Sequence, residues 1–156
     1  SGFLGIENKG FFFGFYVMST IFVRLFSSSL SDRIGRRETM LIGACILLFS
    51  MILLSRVDSY NSFVLAAIVF GLATGVSSPT LFAWTADLSH IKRRGVGAGT
   101  IFIALEAGIM LGSSSTIFTY DNTPGSIQQV FLFGIIMSIL AILYLVWHKA
   151  YRTSEF

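Results

Sequence analysis

The 156-residue chain is 54% hydrophobic and 15% aromatic but only 12% charged, with a formal net charge of +3 and a mean hydropathy of +0.77. A soluble domain carries about 25% charged residues, so the composition excludes one and points to a bilayer. The basic excess does not indicate nucleic acid, because most lysines and arginines sit in short segments beside apolar runs, where membrane topology accounts for them.

A helix needs roughly 20 mostly apolar residues to cross the hydrocarbon. Runs of that kind lie at about 11–30, 39–55, 63–88, 95–118 and 127–147, and none alternates apolar with polar residues as a membrane β-barrel strand does. The sequence therefore predicts an all-α integral membrane protein, a single membrane domain of five transmembrane helices over 1–156 with a polar tail from 148 to 156.

In the first run Arg24 shares a polar stripe with Thr20, Ser28 and Ser31, opposite a phenylalanine-rich side; it lies ~10 Å from the end of the helix at 1.5 Å per residue. A charged segment follows, 31–38, holding Asp32, Arg33, Arg36 and Arg37 around Gly35. The second run contains Cys45, the single cysteine, which reads as a small buried residue and forms no intrachain disulfide.

The third run carries Thr74, Ser77, Ser78, Pro79, Thr80 and Thr85. Proline removes a backbone donor, so a bend is expected near Pro79. The hydroxyls either line a path or bond their own backbone carbonyls. Gly71 and Gly75 form a small-xxx-small pair suited to close helix approach. Trp84, like Trp147 in the last run, reads as an interfacial anchor. Segment 89–94 then holds Lys92, Arg93 and Arg94.

The fourth run contains Glu106, on a face with Gly95, Gly99, Phe102, Met110 and Ser113, while Gly108 and Gly112 lie on the other side and read as packing. Glu106 is ~16 Å from the end of its helix, near the midplane. Charges at that depth usually face a protein interior or a cavity. Arg24 and Glu106 are thus expected to pair or exchange partners in a central cavity; the alternative is that each pairs outside this chain or that Arg24 snorkels to the interface.

Eight basic residues (Arg33, Arg36, Arg37, Lys92, Arg93, Arg94, Lys149 and Arg152) fall on one side of the predicted membrane, against Lys9 and Arg56 on the other. That asymmetry predicts a cytoplasmic C-terminus and an external N-terminus. No basic-then-apolar leader opens the chain, so a preceding helix ending at Ser1 to Gly5 is expected.

The order Leu30-Ser31-Asp32-Arg33-Ile34-Gly35-Arg36-Arg37 resembles the hallmark cytoplasmic loop of the major facilitator superfamily of transporters, Gly-x-Leu-(Ala/Ser)-Asp-Arg-x-Gly-Arg-(Arg/Lys), with Ser28 standing where the family has glycine. Ala86-Asp87-Leu88-Ser89-His90-Ile91-Lys92-Arg93-Arg94-Gly95 resembles the family's other cytoplasmic turn. The resemblance covers essentially the whole chain. It implies an incomplete six-helix half-bundle: helices eight to twelve of a C-terminal half is the favoured reading, helices two to six of an N-terminal half the other. It further implies a monomeric secondary transporter in a plasma or bacterial inner membrane, proton-coupled, moving a small solute in either direction, with the missing half of the same transporter and the bilayer as partners and no cofactor. By resemblance Asp32 offers its charge to a helix N-terminus in the other half. Arg36, with its planar fork, is expected to meet Asp87 and Arg94 beside Asp32 on the cytoplasmic face, and Arg33 and Arg37 are expected mainly to set topology.

Other function classes fare less well. The histidines, His90 and His148, lie in flanks outside the apolar runs, and no His-Glu-x-x-His is present, which leaves an intramembrane hydrolase without a base and a metal without ligands. Gly95-Val96-Gly97-Ala98-Gly99 misses the spacing of a dinucleotide fingerprint. A non-transporting membrane scaffold is the remaining alternative; it gives Arg24 and Glu106 no role. The expected proton or substrate pathway is therefore Arg24, Glu106, Thr20, Ser77 and Ser113.

Overall fold

A computed structural model describes residues 10–57, 59–119 and 124–153. They form five long helices, α1 (Gly10–Ile34), α2 (Arg36–Ser55), α3 (Tyr60–Leu88), α4 (Arg94–Thr119) and α5 (Pro124–Thr153), with a 3-10 turn at Ile91–Arg93 ahead of α4. The chain is an all-α integral membrane protein: among the described residues, four of the helices contain stretches long and apolar enough to cross a membrane, and α1 is apolar over Phe12–Ser27.

Two boundaries differ from the sequence expectation. The predicted loop 31–38 shrinks to Gly35, which alone separates α1 from α2. Its φ of 108° and ψ of 148° lie in a region that only glycine enters freely. Its N–H still donates to the Ser31 carbonyl at 3.2 Å, and its own carbonyl accepts from the Thr39 N–H at 3.1 Å, so the chain turns without leaving those groups unpaired. At the other end α5 runs past 147 to Thr153, so 148–153 of the expected tail are helical. No glycine or proline falls there to stop the helix. Residues 154–156, Lys9 and the side chains of Ser28, Lys149 and Arg152 lie outside the described residues.

Helix α3 is the hub. α1 and α2 both pack along it, α5 packs against α2, and α4 touches α3 and α5 only lightly. Small residues make this possible, because helices in lipid gain from close van der Waals approach rather than from burying oil against oil. A Cβ on Gly71 would lie 2.6 Å from the Tyr16 carbonyl oxygen, and one on Gly75 would lie 3.0 Å from that of Thr20. A Cβ on Gly43 of α2 would collide with the Ser77 hydroxyl of α3, and one on Gly134 of α5 would sit 3.0 Å from Met51 Sδ. At these approaches hydroxyls cross between helices: Ser19 donates to the Ile68 carbonyl at 2.9 Å, Thr20 to Gly71 at 3.2 Å and Ser50 to Ala66 at 3.4 Å.

The buried side chains are accordingly small, including Ala66, Ala67, Ala73, Thr39, Ser50 and Thr80, while large ones such as Met18, Ile103 and Leu25 stand outward. That is the reverse of a soluble domain and suits an apolar solvent. Gly108 and Gly112 do not share in this packing, since a Cβ on either meets nothing within 4 Å. They sit on the lightly packed α4, so the expected packing of that pair is not made among the described residues of this chain. Most hydroxyls of α3 bond their own backbone: Thr74 to Phe70 at 3.1 Å, Thr80 to Val76 at 2.7 Å and Thr85 to Leu81 at 2.9 Å.

Candidate functional site

The ends of α1 and α3, the starts of α2 and α4 and the last turns of α5 gather at one end of the bundle. Arg36 is the junction. As the first residue of α2, immediately after Gly35, it points its guanidinium back along the end of α1 and across to the end of α3. Nη1 lies 2.6 Å from Asp32 Oδ1 and also donates to the Ser31 hydroxyl. Nε donates to Asp87 Oδ2 at 2.8 Å. One planar fork thus joins three helices, a task for which a lysine's single point charge is poorly shaped.

Exposure sets the strength of this junction. The Arg36 side chain is 26% exposed, while the carboxylates of Asp32 and Asp87 are 60% and 55% exposed. Pairs in such high-dielectric surroundings contribute about 0.2–1 kcal/mol each. The junction is therefore specific in geometry and weak in energy.

Arg94 does not join. It is exposed at the start of α4, and among the described residues it makes no ion pair. The 3-10 turn Ile91–Arg93 precedes it, with the His90 ring accepting from the Lys92 N–H at 3.3 Å. Arg33 is likewise exposed and unpaired among the described residues.

Arg37 has a more specific place than a topology signal needs. Its side chain is only 14% exposed and pairs with Glu38 at 3.0 Å, while Nε donates to the Leu145 carbonyl of α5 at 2.8 Å. The same region holds Trp84 of α3 edge-on to His148 of α5, ring centroids 6.3 Å apart. Trp84 thus packs inside the bundle end. A bond to a backbone carbonyl on a helix more than a hundred residues away leaves no trace in sequence spacing; the one available sign was the second arginine directly after Arg36.

The expected pathway residues are scattered. Arg24 and Glu106 are both exposed, and neither side chain has a partner among the described residues. They do not meet, because α1 lies along α3 and forms no packed pair with α4. Thr20 and Ser77 are absorbed in helix contacts: Thr20 bonds Tyr16 at 2.8 Å and Gly71, and Ser77 abuts Gly43. Ser113 is exposed on α4. Glu106 stands one turn beyond Phe102, whose ring meets Phe82 of α3 at 5.5 Å.

Multidrug resistance protein 2 of Bacillus subtilis is 21% identical over 135 residues, 86% of this chain and 33% of that protein. The arabinose-proton symporter of Escherichia coli K12 is 25% identical over 122 residues, 78% of this chain and 26% of its own length. The facilitated glucose transporter member 10 of solute carrier family 2 from Danio rerio is 24% identical over 125 residues, 80% of this chain and 24% of its own. The chain spans about a third or less of the length of these curated relatives. The profile of the Major Facilitator Superfamily, a family of transporters and not of enzymes, matches residues 5–155. With its membrane helices, its Arg36 junction and a match over nearly its whole length, the chain belongs to the Major Facilitator Superfamily.

Proposed function

We propose that the protein carries a small organic solute across the membrane by alternating access, coupled to protons, and that the Arg36 junction latches its cytoplasmic end. The observation that carries this reading is the single guanidinium held between Asp32 of α1 and Asp87 of α3. Such a junction ties together helix ends that must separate for a path to open there, and its low energy suits a gate that opens and closes in each cycle. The basic residues clustered at the same end support its assignment to the cytoplasmic side of a plasma membrane. Asp32, more than half exposed, retains acceptor capacity for a helix N-terminus from the other half of the transporter.

Glu106 is the proposed proton carrier. Its carboxyl lies partway along a membrane helix without a partner among the described residues, a position that is costly unless it serves an ion path. The relatives are named for drug resistance, glucose and arabinose-proton transport, so the solute class proposed is a small organic molecule. The test is flux in proteoliposomes carrying the intact transporter, with arabinose, glucose and a lipophilic cationic dye as probes. Proton movement driven by at least one of them, abolished by Glu106→Gln, is the expected result. Solute-driven proton movement that persists in Glu106→Gln rules out the assigned carrier.

A further inference from the structure

At the end of the bundle opposite the latch, α2 and α5 part. Toward that end Gly134 of α5 faces Met51 of α2, where a Cβ would be 3.0 Å from the sulfur. Beyond that contact they leave an open crevice of about 340 Å³ lined by Ile52, Ser55, Arg56, Gln128, Leu132 and Ile135.

The crevice is graded in polarity along the membrane normal. Arg56 is the residue at which α2 ends and Gln128 lies about one turn into α5, so the two stand toward the same end of the bundle. Ile52, Leu132 and Ile135 lie one to two turns deeper, at hydrocarbon depth. Arg56 is exposed, and among the described residues its side chain has neither an ion pair nor a hydrogen bond; its backbone N–H alone is engaged, donating to Leu53 at 3.1 Å. It is also the one described basic residue at this end of the bundle. A cation with free donors, an amide beside it and an apolar floor beneath match the chemistry of an anionic phospholipid, which carries a phosphate above a hydrocarbon chain.

We propose that this crevice is a binding site for an anionic glycerophospholipid, its phosphate held by Arg56 and Gln128 and an acyl chain laid on Ile52, Leu132 and Ile135. The site faces lipid on the α2–α5 side, away from the latch, and does not depend on the transport reading. Its occupant fills the crevice between α2 and α5.

The test is native mass spectrometry of the full polypeptide in detergent, titrated with phosphatidylglycerol and, separately, with phosphatidylcholine. The wild type is expected to hold phosphatidylglycerol in preference to phosphatidylcholine. Arg56→Gln is expected to weaken phosphatidylglycerol binding about tenfold, the loss of one charge-assisted contact, and Gln128→Ala to weaken it less. Arg93→Gln, at the other end, should leave it unchanged, and circular dichroism should show the same helix content for all. Water-soluble glycerol 3-phosphate should fail to displace the lipid. Equal affinity for the two lipids, unaltered binding by Arg56→Gln, or displacement by glycerol 3-phosphate would overturn the proposal.

Discussion

The Arg37 Nε lies 2.8 Å from the Leu145 carbonyl oxygen, tying the first turn of α2 to α5 across the bundle end. A carbonyl has a second lone pair, so it accepts this bond in addition to any helical one. The guanidinium is 14% exposed and is neutralised by Glu38, so it is held from two sides in a partly dry place. Hydrogen bonds to charged groups contribute about 1.5–3 kcal/mol. Arg37→Ala should lower unfolding stability in detergent by about that amount, whereas Arg33→Ala, at a site that is exposed and unpaired among the described residues, should stay within about 0.5 kcal/mol of the wild type. Thermal unfolding of the two variants side by side checks the ordering.

Close approach of α1 and α3 predicts opposite signs for two glycine substitutions. At Gly71 an added methyl would stand 2.6 Å from the Tyr16 carbonyl and 2.8 Å from Ser19 Cβ, and α1 would have to move. Gly71→Ala should cost about 1–3 kcal/mol, the usual penalty for overpacking. At Gly108 the same methyl meets nothing within 4 Å, and Gly108→Ala should be neutral or gain up to about 1 kcal/mol of helix propensity. Equal effects in thermal unfolding would contradict the packing described for α3.

Gly35 carries the whole turn between α1 and α2. With φ at 108° and ψ at 148°, it lies outside the left-handed helical region that asparagine tolerates. A Cβ would also stand 2.9 Å from the Glu38 carboxylate. Gly35→Ala and Gly35→Asn should therefore both cost about 1–3 kcal/mol, without the rescue that asparagine gives at an ordinary left-handed turn. Melting temperatures of the pair decide this.

Much of the architecture is legible in the sequence because it follows from apolar length alone: five runs, five helices, with their basic ends together. The Arg36–Asp87 pair is legible because both residues stand in short charged segments at helix ends, where opposite charges find one another. Three features are not. The pairing of Arg24 with Glu106 assumed that α1 and α4 are neighbours, whereas the glycines of α3 draw α1 onto α3 and leave α4 at the edge. Arg94 stands near Asp87 in sequence, yet it is exposed at the start of α4 and makes no ion pair among the described residues. The Arg37–Leu145 bond ends on a backbone carbonyl, an acceptor that every residue carries and no side-chain pattern announces.

If Arg36 and Asp87 act as one latch, reversing their charges one at a time breaks it and reversing both restores it. In proteoliposomes of the intact transporter, solute flux should fall at least about tenfold in Arg36→Asp and in Asp87→Arg, each of which places like charges together. The double variant restores an opposite pair between α2 and α3 and should recover part of that loss, a coupling that additive effects do not produce. Wild-type flux in either single variant, or a double variant no better than the sum of the two losses, would contradict the latch.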